Sequence, residues 1–180
     1  MNIKKKTEKQ YWEKVSFEQF AKDWRKQFDA DNDIWTDEAI LNIYSNIQLP
    51  TRKTARSAGY DLSLPIDINF KNDANVITIP TGLKINLKYD RFLGIFPRSS
   101  LGFKYYCMLA NTVGIIDADY ANNEDNEGHI MVKLWCPAKV PFTIEANKGY
   151  AQAIILNYDV VDDDTSTGSR TGGIGSTDKG

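Results

Sequence analysis

Ile77-Thr78-Ile79-Pro80-Thr81-Gly82-Leu83-Lys84-Ile85-Asn86-Leu87-Lys88 is the stretch that decides the fold class. Apolar and polar residues alternate with period two on both sides of Pro80-Thr81-Gly82. Each side therefore reads as a strand buried on one face, with the Pro-Thr-Gly as punctuation. Further apolar segments follow at Phe92 to Phe96, Ile130 to Trp135, Phe142 to Ile144 and Ala151 to Tyr158, separated by Pro, Gly and Asn clusters. Many short strands at this spacing, with no helical pattern between them, predict an all-β antiparallel sandwich, barrel or jelly roll over residues 43–161.

The flanks differ from this β region. Residues 1–42 form a predicted helical N-terminal extension, with Ser16-Phe17-Glu18-Gln19 as a capping box and Phe17, Phe20, Trp24 and Phe28 on one face. That aromatic stripe is expected to pack against its own domain. Thr36 is placed to cap a second short helix carrying Ile40, Leu41 and Tyr44. In residues 162–180 only Ile174 is a large apolar side chain, so this Gly-rich C-terminal arm cannot fold by itself and reads as flexible. Its Gly, Ser and Thr residues around Arg170 and Lys179 could equally wrap a phosphate chain with backbone N–H groups.

A chain of 180 residues fits one domain with an appendage and can bury a sizeable core. A formal net charge of -2 gives no general attraction to nucleic acid or to an anionic membrane, so neither partner is expected. No apolar run reaches the roughly 18 residues of a membrane span. Cys107 and Cys136 lie in apolar surroundings that suit two reduced, buried thiols, and a cytoplasmic protein is the simplest inference. With one histidine, His129, and no Cys-x-x-Cys pair, a zinc site is not expected.

The candidate chemistry begins at Val113-Gly114-Ile115-Ile116-Asp117-Ala118-Asp119-Tyr120, an apolar run that stops at two carboxylates and a tyrosine before the polar segment Ala121 to Gly128. It reads either as a strand entering an acidic, solvated turn or as a charged group held rigidly at a pocket rim. Arg98, Ser99 and Ser100 follow a strand and precede Gly102, offering a guanidinium fork and two hydroxyls to an anhydride phosphate. Asp61 lies two residues after Gly59, near the start of the β region. Asn111 could hydrogen-bond the edge of a base, and Gln152 could donate to a phosphate from an otherwise apolar strand.

Taken in order, these stretches resemble the five motifs of the trimeric dUTP pyrophosphatases (dUTPases). They are Ala58-Gly59-Tyr60-Asp61-Leu62, Pro97-Arg98-Ser99-Ser100, Asn111 through Tyr120, Gly149-Tyr150-Ala151-Gln152 and Arg170-Thr171-Gly172-Gly173-Ile174-Gly175-Ser176-Thr177. Leu49-Pro50 is similar to the segment that leads into the first motif. The resemblance implies a jelly-roll-type β-barrel and a homotrimer with active sites at subunit interfaces. It also implies Mg²⁺-dependent hydrolysis of dUTP to dUMP and pyrophosphate, which keeps uracil out of DNA. By position, Asp117 is implied to be the catalytic carboxylate that activates water, and Tyr120 to pack on the deoxyribose and leave no room for a 2′-hydroxyl. Asn111, with Gly114 in the same motif, is implied to contact substrate at uracil. Arg98, Ser99, Ser100 and Gln152 would contact the phosphate chain, and Asp61 would sit near the metal's water shell. The arm, with Arg170, Gly173, Ile174, Gly175, Ser176 and Thr177, would close over the nucleotide of a neighbouring site.

This chain departs from the family pattern in three places. Ile174 stands where an aromatic commonly stacks on uracil, leaving Phe103, Tyr105 and Tyr106 as candidates for a stacking ring. Residues 121–128 are longer and more acidic than the usual turn, and Gly149-Tyr150 replaces Arg-Ile. Two alternatives use the same fold. A dCTP deaminase would require a catalytic glutamate at strand spacing after residue 120, and none follows there. A nucleotide-dependent regulatory protein would meet a protein partner through the N-terminal extension or the 121–128 insert.

Overall fold

The alternation at 77–88 resolves into two strands that take different partners, and the same antiparallel pairing organises most of the molecule. The computed structural model describes residues 9–28, 35–71, 75–137, 141–168, 170 and 172–174. In chain order the elements are β1 (Tyr11–Lys14), α1 (Phe17–Phe28), α2 (Asp37–Asn46), β2 (Tyr60–Ser63), β3 (Ile68–Phe70), β4 (Asn75–Pro80) and β5 (Leu83–Asn86). They continue as β6 (Arg91–Pro97), α3 (Ser99–Tyr105), β7 (Met108–Leu109), β8 (Gly114–Asp117), β9 (Met131–Cys136), β10 (Phe142–Ile144) and β11 (Gly149–Asn157). The main sheet has the order β2-β11-β6-β8 and a second has β4-β9-β7, with the pairs β1-β5 and β3-β10 beside them. Every pairing is antiparallel. The expected mostly-β class is therefore present, and β8 is an edge strand among the described residues.

The N-terminal extension is not wholly helical. Tyr11–Lys14 extends the sheet edge of β5 instead, with Trp12 opposite Ile85 and packed on Tyr60 at 6.1 Å between ring centroids. Its helices share the β domain's core: Phe20, Trp24 and Ile40 are fully buried with Ile79, Leu83 and Ile130. The aromatic stripe faces inward because Phe20 and Trp24, four apart, meet Tyr44 of α2 and Trp35 just before its N-cap. Both predicted caps are present. Gln19 N–H donates to Ser16 Oγ at 3.1 Å and Ala39 N–H to Thr36 Oγ1 at 3.2 Å.

The returning half of the first capping box comes from elsewhere. Gln19 turns to Asp23 at 2.7 Å, while Glu127 accepts from Ser16 N–H and Oγ at 2.8 and 2.5 Å. The loop after Tyr120 thus clamps the start of α1. A second clamp lies one turn further along. Gly82 N–H donates to His129 Nε2 at 2.8 Å, so Nε2 carries no proton and Nδ1–H donates to Asp23 at 2.6 Å. Burial alone would raise the Asp23 carboxyl, but hydrogen bonds from His129 and Gln19 outweigh it and hold the group below its usual value.

The expectation of two reduced thiols is overturned. Cys107 and Cys136 are buried, as their apolar neighbours imply, but they are joined as a disulfide with Cα atoms 4.2 Å apart. The register of β7 on β9 sets Met108 opposite Trp135 and Leu109 opposite Leu134, which brings Cys107 across from Cys136. A sequence separation of 29 gave no sign of that pairing. The thiol argument for a cytoplasmic location falls with it. No helix among the described residues is long and apolar enough to cross a membrane.

Candidate active site

Strand β6 is the axis on which the motif residues are arranged. Its first residues pair with the end of β8, Phe92 opposite Asp117, and Ile95 pairs with Gly114. Its last residues pair with the start of β11, Phe96 opposite Gln152 and Pro97 opposite Ala151, and Arg98 follows directly. From Phe92 to Arg98 the strand advances six residues, about 20 Å at the rise of a strand. Asp117 and Tyr120 therefore lie at one end of the sheet, and Arg98, Gln152 and Asp61 at the other. Asn111 and Gly114 lie on the Arg98 side of Asp117, so a ligand laid along β8 with its base at Asn111 would point its far end away from this chain's own Arg98.

At the first end Asp117 is half exposed and accepts from Arg170 Nη2 at 2.6 Å, while Arg170 Nε donates to Asp119 Oδ1 at 3.1 Å. The Arg170 guanidinium also lies 5.5 Å from the Tyr120 ring centroid. The arm reaches this spot because β11 ends at Asn157 opposite Arg91, beside Asp117. Tyr120 is only 5% exposed, and burial raises its phenol. The face expected to meet a sugar is thus covered by Arg170.

Residues 121–128 form a self-bonded loop under that ring. Asn123 Oδ1 accepts from the N–H groups of Asp125 and Asn126, both at 3.1 Å, and its Nδ2 donates to Tyr120 O at 2.8 Å. Asn122, Glu127 and Gly128 adopt positive φ, which lets eight residues close without a strand of their own. Gly173 N–H donates to Asp125 Oδ2 at 3.0 Å, so the arm is pinned by both Arg170 and Gly173. The neighbouring Ile174 is exposed. Gly175, Ser176 and Thr177 lie outside the described residues.

At the second end Arg98 precedes α3, and its carbonyl accepts from the N–H groups of Leu101 and Gly102. A cleft of about 340 Å³ is lined by Lys53, Ser57, Gly59, Asp61, Arg98, Ser99 and Gln152 among others. A Cβ on Gly59 would sit 2.8 Å from Gln152 Oε1, so glycine there lets the amide lie over the backbone. At Gly149, where the family pattern has arginine, a Cβ would stand 2.6 Å from Arg98 Nη1, the far end of a long side chain that would have to shift aside. Ser100 does not join Ser99. It lines an adjoining cleft of about 510 Å³ with Arg98, Lys104 and Lys148.

Asp61 Oδ2 is buried and takes no hydrogen bond, and Oδ1 lies 3.9 Å from Arg98 Nε. No cluster of three or more metal-ligating side chains occurs among the described residues. The donor set thus suits an ion that arrives already held by a ligand's oxygens, not one caged by protein. Of the candidate stacking rings, Tyr105 is engaged by Phe142 at 3.7 Å between centroids, whereas Phe103 and Tyr106 are exposed. Sequence reasoning passed over Asp119, Asp125 and Asn126. Asp119 lay within the acidic pair of the third motif, whereas the other two carry no signal until the loop closes on Tyr120.

The comparisons with known proteins converge on one family. The dUTPase family model matches residues 45–178. The deoxyuridine 5'-triphosphate nucleotidohydrolase of Lactococcus lactis is 36% identical over 142 residues, which is 77% of this chain and 94% of that protein. That of Albidiferax ferrireducens is 39% identical over 151 residues, covering 80% and 97%. Among solved structures, the dUTPase from Streptococcus mutans superposes with a TM-score of 0.58 at 34% identity, covering 63% of this chain and 88% of that one.

Proposed function

The chain belongs to the dUTPase family, and from that premise we propose that it hydrolyses dUTP to dUMP and pyrophosphate at sites shared between copies of itself. The observation that carries this reading is the placement of Asp117 and Arg98 at opposite ends of β6. Among the described residues β8 is an edge strand, so its outward backbone groups, with Asn111 just before it, can pair with the edge of uracil. Cytosine would leave those groups unpaired, which is a heavy penalty in a site shielded from water. Sugar and α-phosphate then reach Tyr120 and Asp117. The rest of the triphosphate extends away from this chain's Arg98, and a second copy must bring its own Arg98, Ser99 and Gln152 to meet it.

Within that site Asp117 orients a water and accepts its proton for in-line attack at the α-phosphorus, while Arg98 steadies the charge that develops on the phosphate chain. Arg170 must leave Asp117 before this carboxylate can act, and the triphosphate is the stronger anion to draw it off. Mg²⁺ held by the triphosphate would neutralise charge there, and Asp61, beside Arg98 in the cleft, would be the carboxylate to receive its water shell. A homotrimer with a jelly-roll barrel in each copy is the assembly the family resemblance supports, and exposed Ile115, Val160 and Val161 give apolar surface for it. Work on a nucleotide pool also supports the cytoplasmic placement.

Pyrophosphate release from each of the eight common nucleoside triphosphates, with and without Mg²⁺, tests the activity. Release from dUTP alone is expected, and a protein inert toward dUTP would sink the reading. Sharing of the site has its own test. Asp117→Asn and Arg98→Ala chains should each be nearly inactive, yet mixed trimers should recover activity in roughly a quarter of their sites. If remixing restores nothing, each site is built within one chain.

A further inference from the structure

Asn126 lies outside every motif, in the loop by which this chain departs from its family, and its side chain ends on the ring assigned to the sugar. Its Nδ2 donates to the Tyr120 hydroxyl at 2.9 Å, and that hydroxyl donates in turn to His129 O at 3.1 Å. The amide is itself fixed. Asn126 Oδ1 accepts from Asn123 Nδ2 at 2.8 Å and from Gly128 N–H at 3.0 Å, and Asn126 O accepts from His129 N–H at 2.8 Å. One oxygen thus fixes the orientation of the group that orients the tyrosine.

We propose that Asn126 is a positioning residue for sugar specificity: it holds the Tyr120 ring where a 2′-hydroxyl would have to fit, and so sets the preference for deoxyribose over ribose. This rests on the assignment of Tyr120 to the sugar site. Excluding a single hydroxyl demands a wall fixed to a fraction of an ångström, because a ring free to tilt makes the room it was meant to deny. Packing alone does not fix this ring, since one face carries the Arg170 guanidinium, which leaves when the arm is drawn off. The hydroxyl contacts to Asn126 and His129 do not involve Arg170. The arm crosses the same amide: a Cβ on Gly173 would stand 3.0 Å from Asn126 Nδ2.

The test is a double-mutant cycle on folded, full-length protein, with Asn126→Ala, Tyr120→Phe and both together, and kcat/KM measured for dUTP and UTP. Asn126→Ala should lower the dUTP-over-UTP preference roughly fivefold to tenfold, the range of one hydrogen bond, chiefly through faster turnover of UTP. Tyr120→Phe should do the same, and the double variant should lose no more than either. Glu124→Ala, exposed in the same loop, should keep the wild-type ratio. The Tyr120 ring resonance in ¹³C-tyrosine-labelled protein provides a readout independent of turnover, and it should shift in Asn126→Ala but not in Glu124→Ala. A wild-type ratio in Asn126→Ala, or losses that multiply in the double variant, would overturn the proposal and leave Asn126 a loop scaffold. If wild-type protein hydrolyses neither nucleotide, the proposed function fails instead. The ring resonance then decides the positioning role, and an unmoved signal overturns it.

Discussion

Asp117→Asn should lower dUTP hydrolysis by roughly two to four orders of magnitude, the usual loss when a positioned base is removed. The carboxylate ends the edge strand β8 and is half exposed, so replacing it by an isosteric amide costs the fold little. The substitution removes one of the two carboxylates that hold Arg170, and Asp119 keeps its contact at 3.1 Å. Nucleotide affinity should change little, or rise, because a resting arm less firmly bound to its own chain is easier to draw onto the triphosphate. Steady-state turnover paired with calorimetric titration of dUTP separates the two effects. A variant that kept wild-type turnover would require another group to activate the water, and Asp119 would be the first to examine.

A chain that begins at Ile47, lacking β1, α1 and α2, should fail to fold. All five motifs lie beyond residue 49, and the sequence alone would allow the extension to be an accessory. The core contradicts that separation, since Phe20, Trp24 and Ile40 are as buried as Leu93 or Leu134 of the sheets. Without the helices, Ile79, Leu83 and Ile130 would face water, and His129 would lose Asp23. A single substitution gives the scale: Trp24→Ala should cost about 3–5 kcal/mol, the range for emptying a large aromatic site in a core. That is a large share of the roughly 5–15 kcal/mol by which a domain is stable. Urea unfolding of Trp24→Ala and circular dichroism of the truncated chain measure both effects. A truncated chain with a wild-type unfolding midpoint would show the extension to be detachable.

Much of this protein was legible before any coordinates. The alternation at Ile77–Lys88 gave two strands, and apolar runs bounded by Pro, Gly and Asn located β6, β9, β10 and β11 within a residue or two, because a half-buried strand writes its period into the sequence. Ser16 and Thr36 announced their helices, because an N-cap must satisfy orphan N–H groups within three residues. Such signals are local, and the motifs that identify the family are local too.

What the tertiary structure decided depends on residues far apart in the chain. The register of β7 on β9 set Cys107 against Cys136, and neither thiol's neighbours carry that information. Antiparallel pairing put Asp117 and Arg98 at opposite ends of one strand, although only 19 positions separate them. The end of the Arg98 side chain lies where a Cβ on Gly149 would stand, a proximity that motif order does not show. Asn126 and Glu127 read as part of a polar turn and His129 only as a lone histidine, and only the folded chain shows them holding α1 on one side and Tyr120 on the other. A sequence records which groups a residue can offer within a turn or a strand, whereas the partner that accepts them is fixed when distant segments close on one another.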